Sequence, residues 1–464
     1  MTRYNILNFG AESNQQTDNA KFIQKAIDSC SEDGGGCVII PAGHTFISGP
    51  FKLKSNIEFR VETGATILAN PDESVYIESA FRENKGEGTI WIGGENLENV
   101  TITGGGTIDG NGAAFMGEEL KEAYVLKPFK TIDPRPHILT LINVKNIKVH
   151  NITFQNSAYW GLHFIGCKDV SINHVFIYNS LKIRNGDGID LDHTQNVNIS
   201  NCYIESGDDC ICFKNRREYA EFGPCSDITV TACTLTSTSC AIKFGSENVD
   251  AIKNVVITDC IIKKSNRGIG IQNRDEGTIS NVIISNISLD CRLFGDVWWG
   301  KAEPIYVTAF PRANSRGKDA SIRLPQGATK GKVGKVSNIT FNNIQCNSEN
   351  GIFVGGEHPS KITNIRFRDV NLTINKTTAY KGGLYDCRPC EGTDMIMDDT
   401  AGFYLYQASN ISIKDCSLIW GANRINYYKN GLTEIACKQV EVSNYAYSKV
   451  ENNQSIYASK KDSK

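Results

Sequence analysis

The pattern Asn/Asp-apolar-x-apolar-x-x-apolar begins at Asn146, Asp169, Asn196, Asp227, Asn254, Asn281, Asn338, Asn364 and Asn410. This recurrence limits what the chain can fold into more than any other feature. Most intervals run from 23 to 31 residues, and two, of 57 and 46, are about double, as though one copy were degraded or looped out. A unit this short holds about three short strands and cannot bury its apolar side alone. Stacked copies can, because the strands of each coil pair with those above and below and leave an apolar column inside. The expected fold is therefore all-β, a right-handed parallel β-helix solenoid. A β-sandwich would turn sharply about every 8 to 12 residues, and a propeller blade carries about four strands, so neither fits the period.

Composition agrees with many short strands around a large core: 42 Gly, 12 Pro, 40% hydrophobic and 22% charged residues exclude disorder as the main theme. Lys plus Arg (49) nearly balances Asp plus Glu (51), a net charge of −2, so no global field would hold nucleic acid or an anionic membrane. No run approaches the roughly 18 apolar residues that span a bilayer, and Met1 to Gly10 lacks a basic stretch followed by an apolar one. Helical spacing is confined to Asp18–Cys30, where Phe22, Ile23, Ala26 and Ile27 share a face and Asp18 is placed to act as N-cap. That helix is expected to cap the open end of the solenoid. The organisation expected is one domain over 1–464: an N-terminal cap at 1–45, coils over 46–445 with long loops near 291–335 and 375–402, and a polar tail at 446–464.

The 16 cysteines sort by position. Six residues after each repeat start stand Ile152, Val175, Cys202, Cys233, Cys260, Ile287, Ile344, Val370 and Cys416, so cysteine shares an inward position with Ile and Val as a small apolar residue. Cys387 and Cys390 form a lone Cys-x-x-Cys pair, too little for zinc, and read as a loop disulfide or as two thiols.

Acidic residues concentrate between Asn185 and Asn215, with Asp187, Asp190, Asp192, Glu205, Asp208 and Asp209 in one and a half coils. Superposing the apolar residues of successive coils places Gly188-Ile189-Asp190-Leu191 under Cys210-Ile211-Cys212-Phe213, so Asp187 stacks on Asp209 with Asp208 beside it. Strands about 4.8 Å apart bring such carboxylates close enough that at least one holds its proton more tightly. One neutral acid beside one ionised base suits hydrolysis of a glycosidic bond. The competing reading is a calcium site, since aspartates and backbone carbonyls also bind hard cations.

Asn185-Gly186-Asp187-Gly188 followed by Gly207-Asp208-Asp209 resembles the Asn-Thr-Asp-Gly and Gly-Asp-Asp motifs of the polygalacturonases, glycoside hydrolase family 28. Asn8-Phe9-Gly10-Ala11, the Ile23 to Asp28 helix, Gly34-Gly35-Gly36 and Pro41-Ala42-Gly43 are similar to that family's opening, and the likeness covers most of the first 290 residues. The resemblance implies Asp208 as general acid, Asp187 and Asp209 as the groups that position and deprotonate water, and inversion at the anomeric carbon. No metal or cofactor is expected.

Two departures bear on the substrate. Where the family has Gly-His-Gly this chain has Ser239-Cys240-Ala241, and where it has Arg-Ile-Lys this chain has Gly270-Ile271-Gln272. In the family those basic residues hold the galacturonate carboxylate. Lys243, in the column of Gly270, and Arg267, in the column of Asp187, Asp209 and Cys240, can either meet a carboxylate or pair with the aspartates as a structural bridge. Gln272 is expected to line the sugar site. Trp298, Trp299 and Tyr306 fall in the long interval before Asn338, where aromatic faces either stack on sugar rings or plug the loop against the body. With Lys376 to Thr400 these loops would wall one end of the cleft and favour attack at chain ends.

The expected protein is a monomeric hydrolase of a cell-wall polysaccharide or oligosaccharide, of pectic galacturonide type, secreted or periplasmic, without nucleic acid or membrane partners. The alternatives are the same mechanism on a neutral glycan, a lyase or epimerase of the same fold, and a non-catalytic carbohydrate-binding solenoid.

Overall fold

The computed structural model describes residues 2–83, 86–119, 126–128, 134–295, 300–312, 332–387, 395–451 and 454–459. The chain forms two compact units, Met1–Cys212 with Glu221–Cys233, and Phe213–Ala220 with Thr234–Lys464. Each is built of the coils of a right-handed parallel β-helix.

The repeat has a direct backbone cause. Every repeat start is a left-handed corner, from Asn146 (φ 55°) to Asn410 (φ 53°), a conformation that Asn and Asp tolerate better than other side-chain-bearing residues. A second left-handed corner follows five residues later, at Asn151, His174, Asn201, Ala232, Asp259, Asn286, Asn343, Asp369 and Asp415. Between corners the side chains alternate in and out; across the second corner two residues intervene, which explains the x-x gap in the motif. Thus Ile147, Val149, Ile152 and Phe154 all face inward and pair with Val170, Ile172, Val175 and Ile177 of the next coil.

In the first unit the paired sequence Gly36–Ile40, Ile57–Val61, Glu98–Thr103, Lys145–Gln155, Lys168–Tyr178, Gln195–Ser200 and Cys225–Thr231 forms one sheet face. A second face runs through Phe51–Lys52, Thr89–Glu95, Pro136–Ile142, Leu162–Ile165 and Ile189–Asp192. The helix is Ala20–Glu32, capped by Asn19 rather than Asp18, and it buries Ile23, Ala26, Ile27 and Cys30. Asp18 instead accepts from the Ala20 and Gly49 amides, each at 2.9 Å, tying the helix start to the first coils.

In the second unit Ala251–Ser265, Thr278–Cys291, Val336–Ser348, Ile362–Ile374 and Ser409–Lys414 pair in order. Cys240–Asn248, Arg267–Asn273, Ile305–Ala309, Ile352–Gly356, Thr400–Tyr406 and Tyr428–Ile435 form its other face. Both double-length intervals are single coils with an insertion, because Val282 pairs directly with Ile339 and Ile365 with Ile411. Within the stretch expected as a polar tail from 446, Ala446–Glu451 pairs with Ser417–Trp420 and, antiparallel, with Gln454–Ser459. Cys202 and Cys233 in the first unit, and Cys260 and Cys416 in the second, are buried at the inward position read from the repeat. Cys387 is buried too; Cys390 lies outside the described residues.

Candidate active site

The apolar register brings the three aspartates together in the first unit. The Gly161 amide donates to Asp187 O at 2.9 Å and the Gly188 amide to Asp209 O at 2.8 Å, so Trp160, Asp187 and Asp209 occupy one column on successive coils. One carboxylate oxygen each from Asp187, Asp208 and Asp209 lies within 4.8 Å of the others. Asp187 and Asp209 are buried and Asp208 is half-buried, which places the trio at a surface that a ligand can reach. Three such oxygens are also spaced to hold a hard cation, the calcium alternative left open by the sequence.

The backbone here is tightly specified. Ser206 Oγ accepts from the Asp208 amide at 3.1 Å and lies within hydrogen-bond distance of the carbonyls of Gly186, Asp208 and Asp209, at 2.9, 2.7 and 3.0 Å. Asn179 Nδ2 donates to Gly186 O and Asp187 O at 3.2 and 3.1 Å. Gly207 is required by close approach, since a Cβ there would stand 2.2 Å from Ile183 O. Asn185, left-handed at φ 59°, aims its amide at Asp208 Oδ2 at 3.3 Å. Neither Ser206 nor Asn179 was expected from sequence; Ser206 adjoins the acidic motif, whereas Asn179 carries no local signal.

Asp190 and Asp192 do not join the trio. Both are fully buried; Asp190 pairs in register with His163, and Asp192 lies 3.6 Å from His163 Nε2 and 3.9 Å from His193 Nε2. Beside the aspartate column stands an aromatic wall that the sequence did not reveal. Phe81 meets the rings of Tyr159, Trp160, His137 and His163 at centroid distances of 5.8, 5.1, 5.4 and 6.5 Å. The next residue, Arg82, pairs with Glu221 at 2.5 Å, so the segment carrying Phe81 is strapped across several coils.

The expected sugar-contacting residues of the second unit divide. Lys243 is half-buried over Gly270, with its Cδ 3.7 Å from where a Gly270 Cβ would be, so its stem fills space that glycine leaves. Arg267 forms a structural bridge, to Glu303: Nε to Oε2 is 3.0 Å and Nη2 to Oε1 is 3.1 Å. Burial works against its charge, yet Glu303 outweighs burial and raises the guanidinium above its ordinary value. Tyr306 lies under that guanidinium, 3.7 Å from ring centroid to Cζ, and donates its hydroxyl to Asp386 O at 2.8 Å. It is fully buried, which corrects the expectation of an exposed sugar platform. Gln272 is buried as well, in register between Gly245 and Thr308. Cys240, at the family histidine's position, is buried with its thiol 3.1 Å from Ile242 O. Trp298 and Trp299 lie outside the described residues.

An exopolygalacturonase of Zea mays is 27% identical over 394 residues, 81% of this chain and 86% of its own. A probable polygalacturonase of Vitis vinifera is 31% identical over 289 residues, 58% of this chain and 56% of its own length. The structure of a family 28 exopolygalacturonase of Yersinia enterocolitica matches with a TM-score of 0.66 at 20% identity, over 95% of this chain and 78% of that one, a likeness of fold. The family model of glycosyl hydrolases family 28 matches residues 30–292. That span is more than half of the chain and contains all three clustered aspartates, so the chain belongs to the glycosyl hydrolases family 28.

Proposed function

We propose that this family 28 glycosidase hydrolyses a pectic galacturonide from the chain end, with Asp208 as acid and Asp187 and Asp209 as the water-activating pair. The observation that carries the mechanism is the convergence of the three carboxylates within 4.8 Å on adjacent coils. The acid protonates the leaving oxygen while the stacked pair takes the proton from the attacking water. Trp160 stacks one coil before Asp187 in the same column and packs on Phe81 in a buried aromatic cluster, which closes that side of the trio with core residues. The exopolygalacturonase relatives support the same substrate and mode. A polysaccharide substrate of this kind implies work outside the cytoplasm; among the described residues no helix is long and apolar enough to cross a membrane. A single chain carries all three acids and acts as a monomer in this reading.

One observation favours a second stereochemistry. Inverting pairs usually stand roughly 6.5 to 9.5 Å apart and retaining pairs about 5 to 5.5 Å, so the short spacing suits a carboxylate nucleophile. We favour inversion, as the family resemblance implies. Proton NMR during early turnover decides: the anomer opposite to that cleaved supports inversion, and the same anomer or a trapped glycosyl ester overturns it. The function itself is tested on a panel of pectic and neutral glycans. Expected are terminal sugars with new reducing ends, no ultraviolet absorbance of an unsaturated product and no loss of rate with chelator; Asp208→Asn should lose nearly all turnover while folding normally. Unsaturated products would indicate a lyase, and full activity of Asp208→Asn would remove the site assignment.

A further inference from the structure

Arg135 is 1% exposed and stands just before the strand Pro136–Ile142, yet its guanidinium ties together chain segments far apart in sequence. Nη1 donates to Ala158 O at 3.1 Å and to Arg184 O at 2.6 Å, and Nη2 donates to Asn185 Oδ1 at 3.3 Å. The fork lies on the Tyr159 ring, 4.7 Å from Cζ to the centroid. Asn185 in turn is the left-handed residue whose amide reaches Asp208 Oδ2 at 3.3 Å.

We infer that Arg135 is a positioning residue for the acid: it holds the 183–187 turn so that the Asn185 amide meets the Asp208 carboxyl. The inference rests on the reading of Asp208 as the acid. A left-handed asparagine needs an anchor to hold one orientation, and here both its side-chain oxygen and the preceding carbonyl are anchored by one planar group. Lysine offers a point charge and cannot serve the same acceptors in one plane, so the site asks for arginine by geometry as well as by charge. Because Asn179 and Ser206 hold the other side of the turn, losing Arg135 would release the Asn185 side while leaving Asp187 supported. The acid would then be misaimed without any substrate contact being removed.

The test uses the full chain and a pectic oligosaccharide that the parent cleaves. Arg135→Lys, Arg135→Met, Asn185→Ala and the double variant Arg135→Met with Asn185→Ala are compared for kcat, KM and thermal unfolding. The expected result is a fall in kcat of roughly 10- to 100-fold for each single change, the scale of a small misplacement in an active site, with KM within about 2-fold. The double variant should be no worse than the poorer single one, since Asn185→Ala removes a bond that Arg135→Met has already removed. Arg135→Lys covers the case in which Arg135→Met does not fold, and it should show the same split between kcat and KM. A risen KM with unchanged kcat, or losses that multiply in the double variant, would overturn the inference. Unchanged kcat in folded Arg135→Lys beside an inactive Asp208→Asn would sink this inference alone, whereas an active Asp208→Asn would sink the reading beneath it.

Discussion

Two cations that sequence alone could not tell apart, Arg267 and Lys243, have different surroundings and should respond differently to removal. Arg267 is buried and doubly bonded to Glu303. Arg267→Met would strand the Glu303 carboxylate in the interior, which costs about 3 to 5 kcal/mol when a buried pair is broken. Urea unfolding should show that loss, and a variant as stable as the parent would contradict the pairing argument. Lys243 is half-buried over a glycine. If the sugar is acidic, Lys243→Ala should reduce kcat/KM by roughly 30-fold or more, and added salt should weaken binding by the parent. Unchanged kinetics and no salt effect in a folded Lys243→Ala variant would move the substrate to a neutral glycan.

Corners set the coil at the scale of one strand pair. Nearly all the repeat-start and second-corner positions carry Asn or Asp, and many stack as side-chain ladders, for example Asn146 on Asn99 at 2.7 Å and Asn343 on Asn286 at 2.8 Å. Ala232 is an exception: it is exposed and left-handed at φ 53°, with no side-chain amide to join a ladder. The left-handed conformation costs an ordinary residue roughly 1 to 2 kcal/mol, and asparagine less. Ala232→Asn should therefore stabilise the protein by about 1 kcal/mol, seen as a shift of the denaturation midpoint at unchanged m-value. A destabilised variant would show that the corner prefers a small side chain for packing.

The whole molecule carries almost balanced charge, so its acid stability depends on which carboxylates are held ionised. In the second unit burial works against the charge of Glu247, but Arg312, Lys214 and Arg216 outweigh it and hold the carboxyl down to about 2 from an ordinary 4.5. A depressed folded-state value contributes stability that is complete above about pH 4.5 and is lost as pH falls through about 2. Stability measured from pH 5 to 2 should fall more steeply in the parent than in Glu247→Gln, which lacks that titration. Equal slopes would contradict the assignment. Arg312 also forks the Asp275 carboxylate, with both contacts at 2.9 Å, so the variant keeps one of the local charge pairs.

The coil and the acid trio were legible from sequence because both follow from local rules that repeat. A left-handed corner selects Asn or Asp, alternation fixes which residues point inward, and register then carries Asp187 onto Asp209 without knowledge of any loop. The second corner was not seen because its occupants include His174 and Ala232, and the long intervals concealed single coils because an insertion leaves the register untouched. Only the tertiary structure decided the rest. Arg135 meets Asn185 across 50 residues, Arg82 meets Glu221 across 139, and Arg267 finds Glu303 across 36. Such contacts join loops and coil edges where no periodic pattern operates, so neither the bond from Arg135 to Asn185, nor the aromatic cluster around Phe81, nor the burial of Arg267 and Tyr306 leaves a trace in the sequence. Partner choice there depends on which side chains the finished stack brings within reach.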